Sequence, residues 1–451
     1  MRTCVVGTGY VGLVAAACLA EMGHRVTGVD ADEAKVRVLR SGACPIHEPG
    51  LEELLGRHLG SRLDFTSSLH EAVPEAELVF LAVGTHQAAD GSADLGDLRR
   101  AAQDIAALLR DGAVVVSKST APVGTGAMLR DLIAGRARTR SHMAVNPEFL
   151  RQGYGLADFL RPARIVIGAD DDAARAALLD LYRPFARPIH VTNMASAEMI
   201  KYAANAFLAV KISFINSIAD LCERTGADIE AVTEAVGADP RIGHGSMRAG
   251  LGFGGSCLPK DTASLVHQAR AVGCECPVVA AARAVNEERP RALVRKLEAL
   301  LGGLRGKPIA LLGLAFKGGT DDIRESRGIA LASMMLAAGA TVRAYDPAAM
   351  ARAREAVPEL ECQDSAYQAA AGARAAVIAA DWQEFRELDL GRLRAVMARP
   401  LVIDGCNLLA PQDAARAGLE CHGIGRAAVA PLRAHQTEAR HLLPVAASRP
   451  A

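Results

Sequence analysis

The sequence predicts an α/β protein with two doubly wound domains joined by a long central helix. Short apolar strands alternate with helices in residues 1–193, one uninterrupted helical pattern then begins near residue 196, and residues 302–425 repeat the strand–helix–strand order of the opening. Strands that alternate with helices predict a parallel sheet, because each right-handed crossover returns the chain to the same end of the sheet before the next strand begins. We therefore expect two or three domains with sizeable cores.

Composition and charge exclude several classes of function. Lys plus Arg and Asp plus Glu both number 51, so no global field favours nucleic acid or acidic membrane, and an anionic ligand must meet local basic residues. The ten cysteines are scattered in apolar segments, and the chain opens directly into the strand "RTCVVG", which indicates a reducing, cytoplasmic setting. The close pair Cys274 and Cys276 has no second pair or histidine cluster, so we expect no metal site. No apolar run is expected to approach the length of a membrane span.

The first domain, residues 1–193, opens with a nucleotide-binding pattern. Its strand signals are "TCVVG", "RVTGVD", "LVFLAVG", "AVVVSKST", "HMAVNP" and "RIVIGA". "VVGTGYVG" places Gly7, Gly9 and Gly12 after a strand and before an apolar helix, where a pyrophosphate would meet the positive helix end. Asp30 ends the next strand and is positioned to accept from a ribose 2′-hydroxyl. No arginine follows it immediately, which favours NAD over NADP, and Lys35 is placed to reach the adenosine side. A glycine turn without a ligand is the alternative.

The central region, residues 194–301, is predicted to be helical. The pattern from Ser196 to Arg224 is uninterrupted and would run roughly 40 Å, enough to link two domains and to offer a face to a partner subunit. Lys201 and Asn205 are four residues apart and share one face of this mostly apolar helix, so they would face a cleft or a hydrogen-bonded interface rather than solvent.

The third region, residues 302–425, predicts a second, degenerate Rossmann-like domain. In "KPIALLGLAF" and "GATVRAYDP", Gly313 takes the place of Gly7 and Asp346 that of Asp30, and "AAVIAADW" resembles "ELVFLAVG". Residues 426–451 lack sustained periodicity and are expected to form a mobile tail.

A cysteine in the glycine-rich stretch "GFGGSCLPKD" is the main candidate for covalent chemistry. A free thiol has a pKa of about 8.5, and a nearby cation would lower the pKa of Cys257; Lys260 and Lys201 are the candidates. Asp261 would orient Lys201 or a water, or act as a base. Glu148 in "NPEFL" and Thr120 in "SKSTAPVGT" follow strand ends, where α/β sheets bind ligands. Taken alone, a cysteine beside glycines is more often structural.

Together these motifs resemble the UDP-glucose/GDP-mannose dehydrogenase family of NAD-dependent four-electron oxidoreductases. The matching pieces run in family order over roughly residues 1–410: "GTGYVGLV", "IHEPGLEELL", "KSTAPVGT", "NPEFL", "EMIKYAANAFLAVKISFINSIADLCE", "GFGGSCLPKD" and "GLAFKGGTDDIRES". The resemblance implies two Rossmann-like doubly wound domains, a helical dimerisation region whose long helix is the dimer core, and a homodimer or higher homo-oligomer.

The resemblance also implies a role for each catalytic candidate. The family oxidises a sugar C6 alcohol to a carboxylate in two hydride steps. The thiolate of Cys257 would add to the intermediate aldehyde, and the second hydride transfer would leave a thioester that water hydrolyses. Lys201 and Asn205 would stabilise the oxyanion, and Asp261 would activate or orient water. Thr120 and Glu148 would position a water or relay protons.

Further positions are implied for the two ligands. NAD would contact Gly7, Gly9, Val11, Gly12, Asp30, Lys35, Thr85, Thr120, Gln152, Lys260 and Arg324. The nucleotide sugar would contact Glu148, Phe149, Leu150, Arg151, Gln152, Lys201, Asn205, Arg241, Ser246, Met247, Arg248, Ala249, Gly250, Gly254 and Lys317. By the resemblance, Lys317 would contact the phosphates, and Arg241 would arrive from a neighbouring subunit.

The choice of substrate rests on the segment "GADPRIGHGSMRAGLGFGGSC", which favours the UDP-glucose branch and hence UDP-glucuronate for polysaccharide synthesis or sugar modification. The chain departs from that branch at Ser246–Met247, where an aromatic–leucine pair is usual, and at Cys406, where an arginine is usual. It also carries Gln152 in place of a glutamate and His86 in place of a proline. The alternatives are the same oxidation of GDP-mannose or a UDP-N-acetylhexosamine, and a catalytically idle paralogue that binds NAD or a nucleotide sugar.

Overall fold

A computed structural model of the chain describes residues 1–432. The described chain divides into two compact units. The first comprises Met1–Ser213, Phe253–Asn286 and Lys317–Glu325, and the second comprises Phe214–Gly252, Glu287–Phe316 and the described chain from residue 326 onward. The division into domains at residues 193, 301 and 425 stays a prediction. Most of the tail expected to be mobile, residues 433–451, lies outside the described residues.

The first unit contains a large sheet of buried strands. Its strands are β1 (Arg2–Val6), β2 (Arg25–Val29), β3 (Leu63–Thr66), β4 (Leu78–Leu81), β7 (Ala113–Ser117), β8 (Ser141–Val145), β9 (Ile165–Ala169) and β10 (Ile189–Thr192), and β5 (His86–Gln87) and β6 (Ala93–Asp94) form a separate antiparallel ribbon. β4, β7 and β9 are buried at every residue, as expected of strands covered by helices on both faces.

The predicted parallel direction is confirmed for six of the eight strands. The order is β10-β9-β8-β7-β4-β1-β2-β3. The neighbours from β8 to β3 in this order pair in parallel, whereas β9 pairs with β8 in the antiparallel direction and β10 runs parallel to β9. The expectation of a wholly parallel sheet is therefore wrong at this edge, because the link from β8 to β9 does not cross over and return to the same end.

The second unit contains a six-stranded sheet that is parallel throughout. Its strands are β11 (Pro308–Leu312), β12 (Thr341–Tyr345), β13 (Glu361–Cys362), β14 (Ala375–Ile378), β15 (Leu401–Asp404) and β16 (Glu420–His422), in the order β13-β12-β11-β14-β15-β16. β11 lies between β12 and β14, just as β1 lies between β2 and β4. The sequence repeat is therefore also a repeat of topology.

Helices cover the sheets and connect their strands. They are α1 (Tyr10–Glu21), α2 (Glu33–Arg40), α3 (Leu51–His58), α4 (Leu69–Ala72), α5 (Gly96–Ala106), α6 (Thr125–Ala134), α7 (Gly155–Leu160), α8 (Asp172–Tyr182), the 3₁₀ turn Arg183–Phe185, α9 (Met194–Thr225), α10 (Ile229–Gly237), α11 (Leu258–Ala271), α12 (Pro277–Leu301), α13 (Arg327–Ala337), α14 (Met350–Ala356), α15 (Ala366–Ala370), α16 (Gln383–Arg386), α17 (Leu390–Val396) and α18 (Pro411–Arg416). Asp32 and Asp171 accept backbone N–H bonds at the starts of α2 and α8, which satisfies donors that a helix leaves free.

The long central helix is confirmed as α9, which runs without interruption for 32 residues. Among residues 1–432, α9 is a helix that is long enough and apolar enough to cross a membrane, judged by length and composition alone. The expectation that no apolar run approaches that length is therefore wrong. The same helix nevertheless carries buried polar side chains, including Glu198, Lys201 and Asn205. Each of these three side chains is hydrogen-bonded to protein atoms outside α9.

Candidate active site

The first glycine-rich turn has the geometry of a dinucleotide cradle. Gly7 has a φ of +92°, and a Cβ there would lie 2.9 Å from the backbone carbonyl of Ala82. A Cβ on Gly12 would lie only 1.8 Å from the oxygen of Gly7, so helix α1 can approach the turn only with glycine there. A Cβ on Gly9 would meet nothing within 4 Å, which leaves space at the start of α1 for a phosphate. The turn therefore fits a pyrophosphate group.

Asp30 supports this cradle from the end of β2. Its Oδ2 accepts hydrogen bonds from the backbone N of Thr8 at 2.9 Å, the hydroxyl of Thr8 at 2.7 Å and Nζ of Lys35 at 2.7 Å. Burial raises the pKa of Asp30, but the hydrogen bonds from Lys35 and Thr8 outweigh it, and the net pKa lies below the ordinary value. Its Oδ1 accepts from the backbone N of Asp32 at 3.2 Å and retains lone-pair capacity for a ribose hydroxyl. These residues fit NAD.

The second unit repeats this arrangement around Gly313. Gly313 has a φ of +107°, and a Cβ on Gly328 would lie 2.3 Å from the backbone oxygen of Gly313. This close approach matches the one between Gly12 and the backbone oxygen of Gly7. Asp346 Oδ2 accepts from the backbone N of Leu314 at 2.7 Å and of Ala315 at 2.9 Å. The predicted equivalence of the two turns is therefore confirmed, and Gly328 adds a position that sequence reasoning had not matched.

The cysteine loop is held in place by backbone bonds inside the first unit. Cys257 is the residue before α11, and the preceding Gly255 has a φ of +80°. The backbone N of Gly255 donates to the oxygen of Arg324 at 2.9 Å, and the side chain of Asn286 bonds both the N and the O of Phe253. The loop thus presents the thiol from a fixed backbone.

The thiol of Cys257 is not activated by its surroundings alone. The residue is exposed, yet desolvation of the thiol is the largest influence on its pKa and raises it, and Glu148 raises it further. Lys201 lowers the pKa, as the sequence suggested, but the net shift is upward. The thiol therefore rests protonated, and its proton must leave when it attacks.

Asn205 of α9 belongs to a hydrogen-bonded chain that includes residues of α11. Asn205 Nδ2 donates to Oδ2 of Asp261 at 2.6 Å, and Nζ of Lys260 donates to Oδ1 of Asp261 at 2.5 Å. Asp261 is 1% exposed, so both oxygens are held away from bulk water. Lys260 also approaches the hydroxyl of Thr85 at 3.4 Å, and that hydroxyl donates to the oxygen of Thr120 at 2.8 Å. One chain of hydrogen bonds joins the backbone of Thr120 to Asn205.

Lys201 and Glu148 form a buried ion pair. The distance from Nζ to Oε1 is 3.0 Å, and the two side chains are 4% and 5% exposed. Burial is the largest influence on the pKa of Lys201 and lowers it, but the carboxylates of Glu148 and Asp261, together with Cys257 when it is ionised, outweigh burial and raise the net pKa. Oε2 of Glu148 accepts from the backbone N of Leu150 at 2.5 Å. Lys201 is therefore a permanent cation near the cysteine loop.

Phe149 lies beside this pair, and the remaining candidates of the first unit have other neighbours. The ring of Phe149 is stacked by the guanidinium of Arg164 at 3.8 Å and lies 5.3 Å from Nζ of Lys201. Arg151 pairs with Asp158, and Lys317 Nζ lies 5.6 Å from the ring of Tyr154. Asp322 accepts from Nε2 of Gln152 at 3.0 Å and also pairs with Arg324. Gly254 lies in the loop before Cys257, and Val11 lies in the first turn of α1.

The other sugar candidates lie in the second unit. Arg241 is exposed and pairs with Asp239 of the same chain, and Ser246 has a φ of +60°. Met247 is 1% exposed within an apolar cluster that includes Ile215, so its side chain packs in the core. Three more complete the segment: Arg248 approaches the oxygen of Cys406 at 3.3 Å, Ala249 is buried, and Gly250 N donates to Asn216 at 2.8 Å.

Sequence reasoning missed several buried side chains around the site. Glu48 is 7% exposed, and its carboxylate accepts from the backbone N of Gly153 and of Gly155, each at 2.6 Å, and from the hydroxyl of Tyr10 at 2.8 Å. The only local signal for Glu48 was its place in "IHEPGLEELL". Lys118, at the end of β7, was missed although "SKST" was singled out.

A cavity of about 210 Å³ lies behind Glu148 in the first unit. Among the residues that line it are Lys118, Asn146, Phe149, Phe159 and Tyr182. Among the described residues, no group of three or more His, Cys, Asp or Glu side chains could hold a metal ion.

Comparison with known proteins gives consistent matches along the chain. Three domain families of the UDP-glucose/GDP-mannose dehydrogenase family match: the NAD binding domain over residues 1–186, the central domain over residues 195–288 and the UDP binding domain over residues 310–411. A UDP-glucose 6-dehydrogenase of Rhizobium meliloti is 46% identical over 435 residues, covering 94% of this chain and 100% of the relative.

Two solved structures extend the comparison. A UDP-glucose dehydrogenase from Pyrobaculum islandicum superposes with a TM-score of 0.89 at 42% identity, covering 94% of this chain and 98% of the other. A UDP-D-ManNAc dehydrogenase from Pyrococcus horikoshii superposes with a TM-score of 0.83 at 30% identity, covering 94% and 99%. The similarity thus spans both units.

Proposed function

Because this chain belongs to the UDP-glucose/GDP-mannose dehydrogenase family, we propose that it is a UDP-glucose 6-dehydrogenase that oxidises C6 of UDP-glucose to give UDP-glucuronate. The observation that carries the proposal is the pairing of Lys201 with Glu148 and of Asn205 with Asp261 inside the unit that holds the Cys257 loop. A two-electron alcohol dehydrogenase would need no thiol.

NAD supplies the hydride acceptor in both oxidation steps. The residues that would hold it are those of the first glycine turn, with Asp30 as the ribose acceptor and Lys35 beside it. Thr85, Thr120, Gln152, Lys260 and Arg324 are the further cofactor contacts proposed from the family resemblance. Their support is their position in the first unit, which also contains the glycine turn.

In the first oxidation the C6 hydroxyl loses a proton and the C6 carbon loses a hydride, which leaves an aldehyde. The ammonium of Lys201 and the amide of Asn205 stabilise the negative oxygen that develops. The raised pKa of Lys201 supports this role, because a cation that remains protonated at neutral pH stabilises charge throughout the step. Thr120 and Glu148 position a water that takes the proton.

In the second oxidation the sulfur of Cys257 forms a bond to the aldehyde carbon, and the thiol proton passes to water. Loss of a second hydride from that carbon gives a thioester. A water oriented by Asp261 then adds to the thioester carbon, the C–S bond breaks, and the carboxylate and the thiol are released. The raised pKa of the thiol favours its protonation as it leaves.

The choice of nucleotide sugar rests on the named relatives and on the substrate segment. UDP-glucose is favoured by the 46% identical UDP-glucose 6-dehydrogenase of Rhizobium meliloti, whereas Met247 in the core and Cys406 in place of an arginine favour testing other sugars. The 30% identical structure named for UDP-D-ManNAc supports a UDP-N-acetylhexosamine as the second candidate. GDP-mannose is the remaining candidate. Lys317 would meet the phosphates.

We also propose that α9 forms the core of a homodimer in the cytoplasm. Phe207, Phe214 and Leu221 recur every seven residues along the helix and are 65%, 53% and 58% exposed. A repeating exposed apolar stripe on a helix is typical of packing against a second helix. All ten cysteines are free, which supports a reducing compartment. Sedimentation of the wild type and of Phe214→Glu would test the dimer; a monomeric wild type would contradict it.

The activity is tested by counting NADH formed per sugar consumed with UDP-glucose, GDP-mannose and the UDP-N-acetylhexosamines in turn. Two NADH with UDP-glucose alone would support the proposal. Two NADH with another sugar would retain the chemistry and change the substrate. No NADH with any of them would favour the catalytically idle paralogue.

A further inference from the structure

A carboxylate of α9 accepts backbone hydrogen bonds at the end of the loop that carries Thr120. We call residues 118–124, between β7 and α6, the Thr120 loop. Oε2 of Glu198 accepts from the backbone N of Gly124 at 2.7 Å, and its Oε1 accepts from the backbone N of Gly126 at 2.6 Å. Glu198 is 5% exposed and lies one helical turn before Lys201. The carboxylate thus links this loop to the helix that carries Lys201 and Asn205.

A side chain of α11 also forms hydrogen bonds with the same loop. The side-chain amide of Gln268 donates from Nε2 to the oxygen of Val123 at 3.0 Å, and its Oε1 accepts from the N of Val123 at 3.4 Å. Gln268 lies seven residues after Asp261 on the helix that begins next to Cys257. Both helices that carry candidate catalytic residues therefore bond to one short loop.

The local backbone is shaped to admit the carboxylate. Gly124 has a φ of +99°, and a Cβ on Gly126 would lie 2.8 Å from Val145 and 3.3 Å from Oε1 of Glu198. The first N–H groups of a helix have no partner inside it, and an anion there is favoured by the helix dipole. Glu198 supplies that anion to α6 from a distant part of the chain.

Burial and the two backbone donors act in opposite directions on the pKa of Glu198. Burial is the largest influence on its pKa and raises it to about 7, the bonds from Gly126 and Gly124 oppose the rise, and Asp170 adds to it. Asp170 is itself approached by the guanidinium of Arg130 at 3.6 Å. No cation reaches Glu198 among the ion pairs of the described residues, so the two backbone donors are what stabilise its charge.

We propose that Glu198 and Gln268 are positioning residues that fix Thr120 relative to Lys201 and Cys257. This inference rests on the proposed function, in which Thr120 positions the water that accepts the proton. Neither side chain contacts substrate in this role. Without them the loop would keep the bonds near its start, from Ser119 to Leu81 and Val83 and from Thr85 to Thr120, but it would lose its bonds to α9 and α11.

The test compares Glu198→Gln and Gln268→Leu with a matched control, Asp171→Asn. Asp171 also accepts a backbone N–H at a helix start, in α8, and its partly exposed carboxylate lies 3.0 Å from His142, so its substitution removes a helix-start charge that has no bond to the Thr120 loop. Hydrogen exchange of peptides that cover residues 118–126 is measured without any substrate. Steady-state kcat, KM and NAD affinity are measured on the same samples, with circular dichroism to establish folding.

We expect faster exchange in residues 118–126 for both variants. We expect kcat to fall by about 10-fold to 100-fold because a catalytic group is misplaced, and NAD affinity to fall by a smaller factor because Thr120 is also a proposed cofactor contact. The control should change neither. Unchanged exchange, or faster exchange with unchanged kcat, would overturn the proposal. If Glu198→Gln does not fold, Gln268→Leu decides. A wild type without NADH production would refute the proposed function, while the exchange data would still show whether Glu198 and Gln268 hold the Thr120 loop in place.

Discussion

Among residues 1–432 no carboxylate forms an ion pair with the buried ammonium of Lys118, which makes this lysine the sharpest test of the electrostatics around the site. Lys118 is 4% exposed, and its Nζ donates to Oδ1 of Asn146 at 3.0 Å and to the backbone O of the same residue at 3.4 Å. Burial lowers its pKa to about 8; Glu148 partly opposes this and Lys201 reinforces it. Folding at neutral pH therefore carries the cost of a buried, unpaired charge.

The magnitude and sign follow from the two pKa values. The pKa of Lys118 falls from the ordinary lysine value of 10.5 in the unfolded chain to about 8 in the fold, and each unit is worth about 1.4 kcal/mol, which gives about 3 kcal/mol. Between these values the unfolded chain binds the proton and the folded chain has released it, so the free energy of unfolding rises with pH. The cost is fully present below pH 8 and is gone above pH 10.5.

Two variants isolate this contribution. Lys118→Met removes the charge and Lys118→Arg retains it at every accessible pH. In urea unfolding followed by circular dichroism, the wild type should gain about 3 kcal/mol relative to each variant as pH rises from about 8 to about 10.5. Other titrating groups cancel in these differences. Near pH 7, Lys118→Met should have a free energy of unfolding close to that of the wild type. Removing the buried charge gains about 3 kcal/mol, and losing the hydrogen bonds to Asn146 costs about 1.5–3 kcal/mol, so the two effects nearly cancel. A difference curve that stays flat over this range would refute the reasoning.

The remaining predictions concern binding and chemistry. Cys257→Ser should retain NAD affinity and lose acid formation, and full turnover with two NADH per sugar would contradict the thioester step. Arg241→Ala should raise the KM for the nucleotide sugar with little change in kcat, and an unchanged KM would argue against a cross-subunit contact. Gly12→Ala should weaken NAD binding at least about tenfold, because its Cβ would lie 1.8 Å from the oxygen of Gly7; fluorescence titration with NAD would show this, and wild-type affinity would contradict the assigned cradle.

Local patterns carried much of the fold and part of the site. Glycine spacing and the acidic residue at the next strand end predicted both Rossmann-like turns, because these features depend on a few adjacent residues. The helical period predicted α9 and the shared face of Lys201 and Asn205. The antiparallel β9 was not predicted, since a buried apolar run has the same pattern in either direction.

Tertiary structure decided how the site is held and charged. Glu48 meets Gly153 and Gly155 more than 100 residues along the chain, and Glu198 meets Gly124 and Gly126 more than 70 residues back. No local period records such contacts, because they form only when separate elements pack. The same is true of the Cys257 thiol, whose pKa the neighbouring lysine suggested would fall and burial raises instead. The sequence alone determined which chemical groups the chain carries and where strands and helices place them. Only the packed fold determined their desolvation and partners, since both depend on atoms brought together from distant segments.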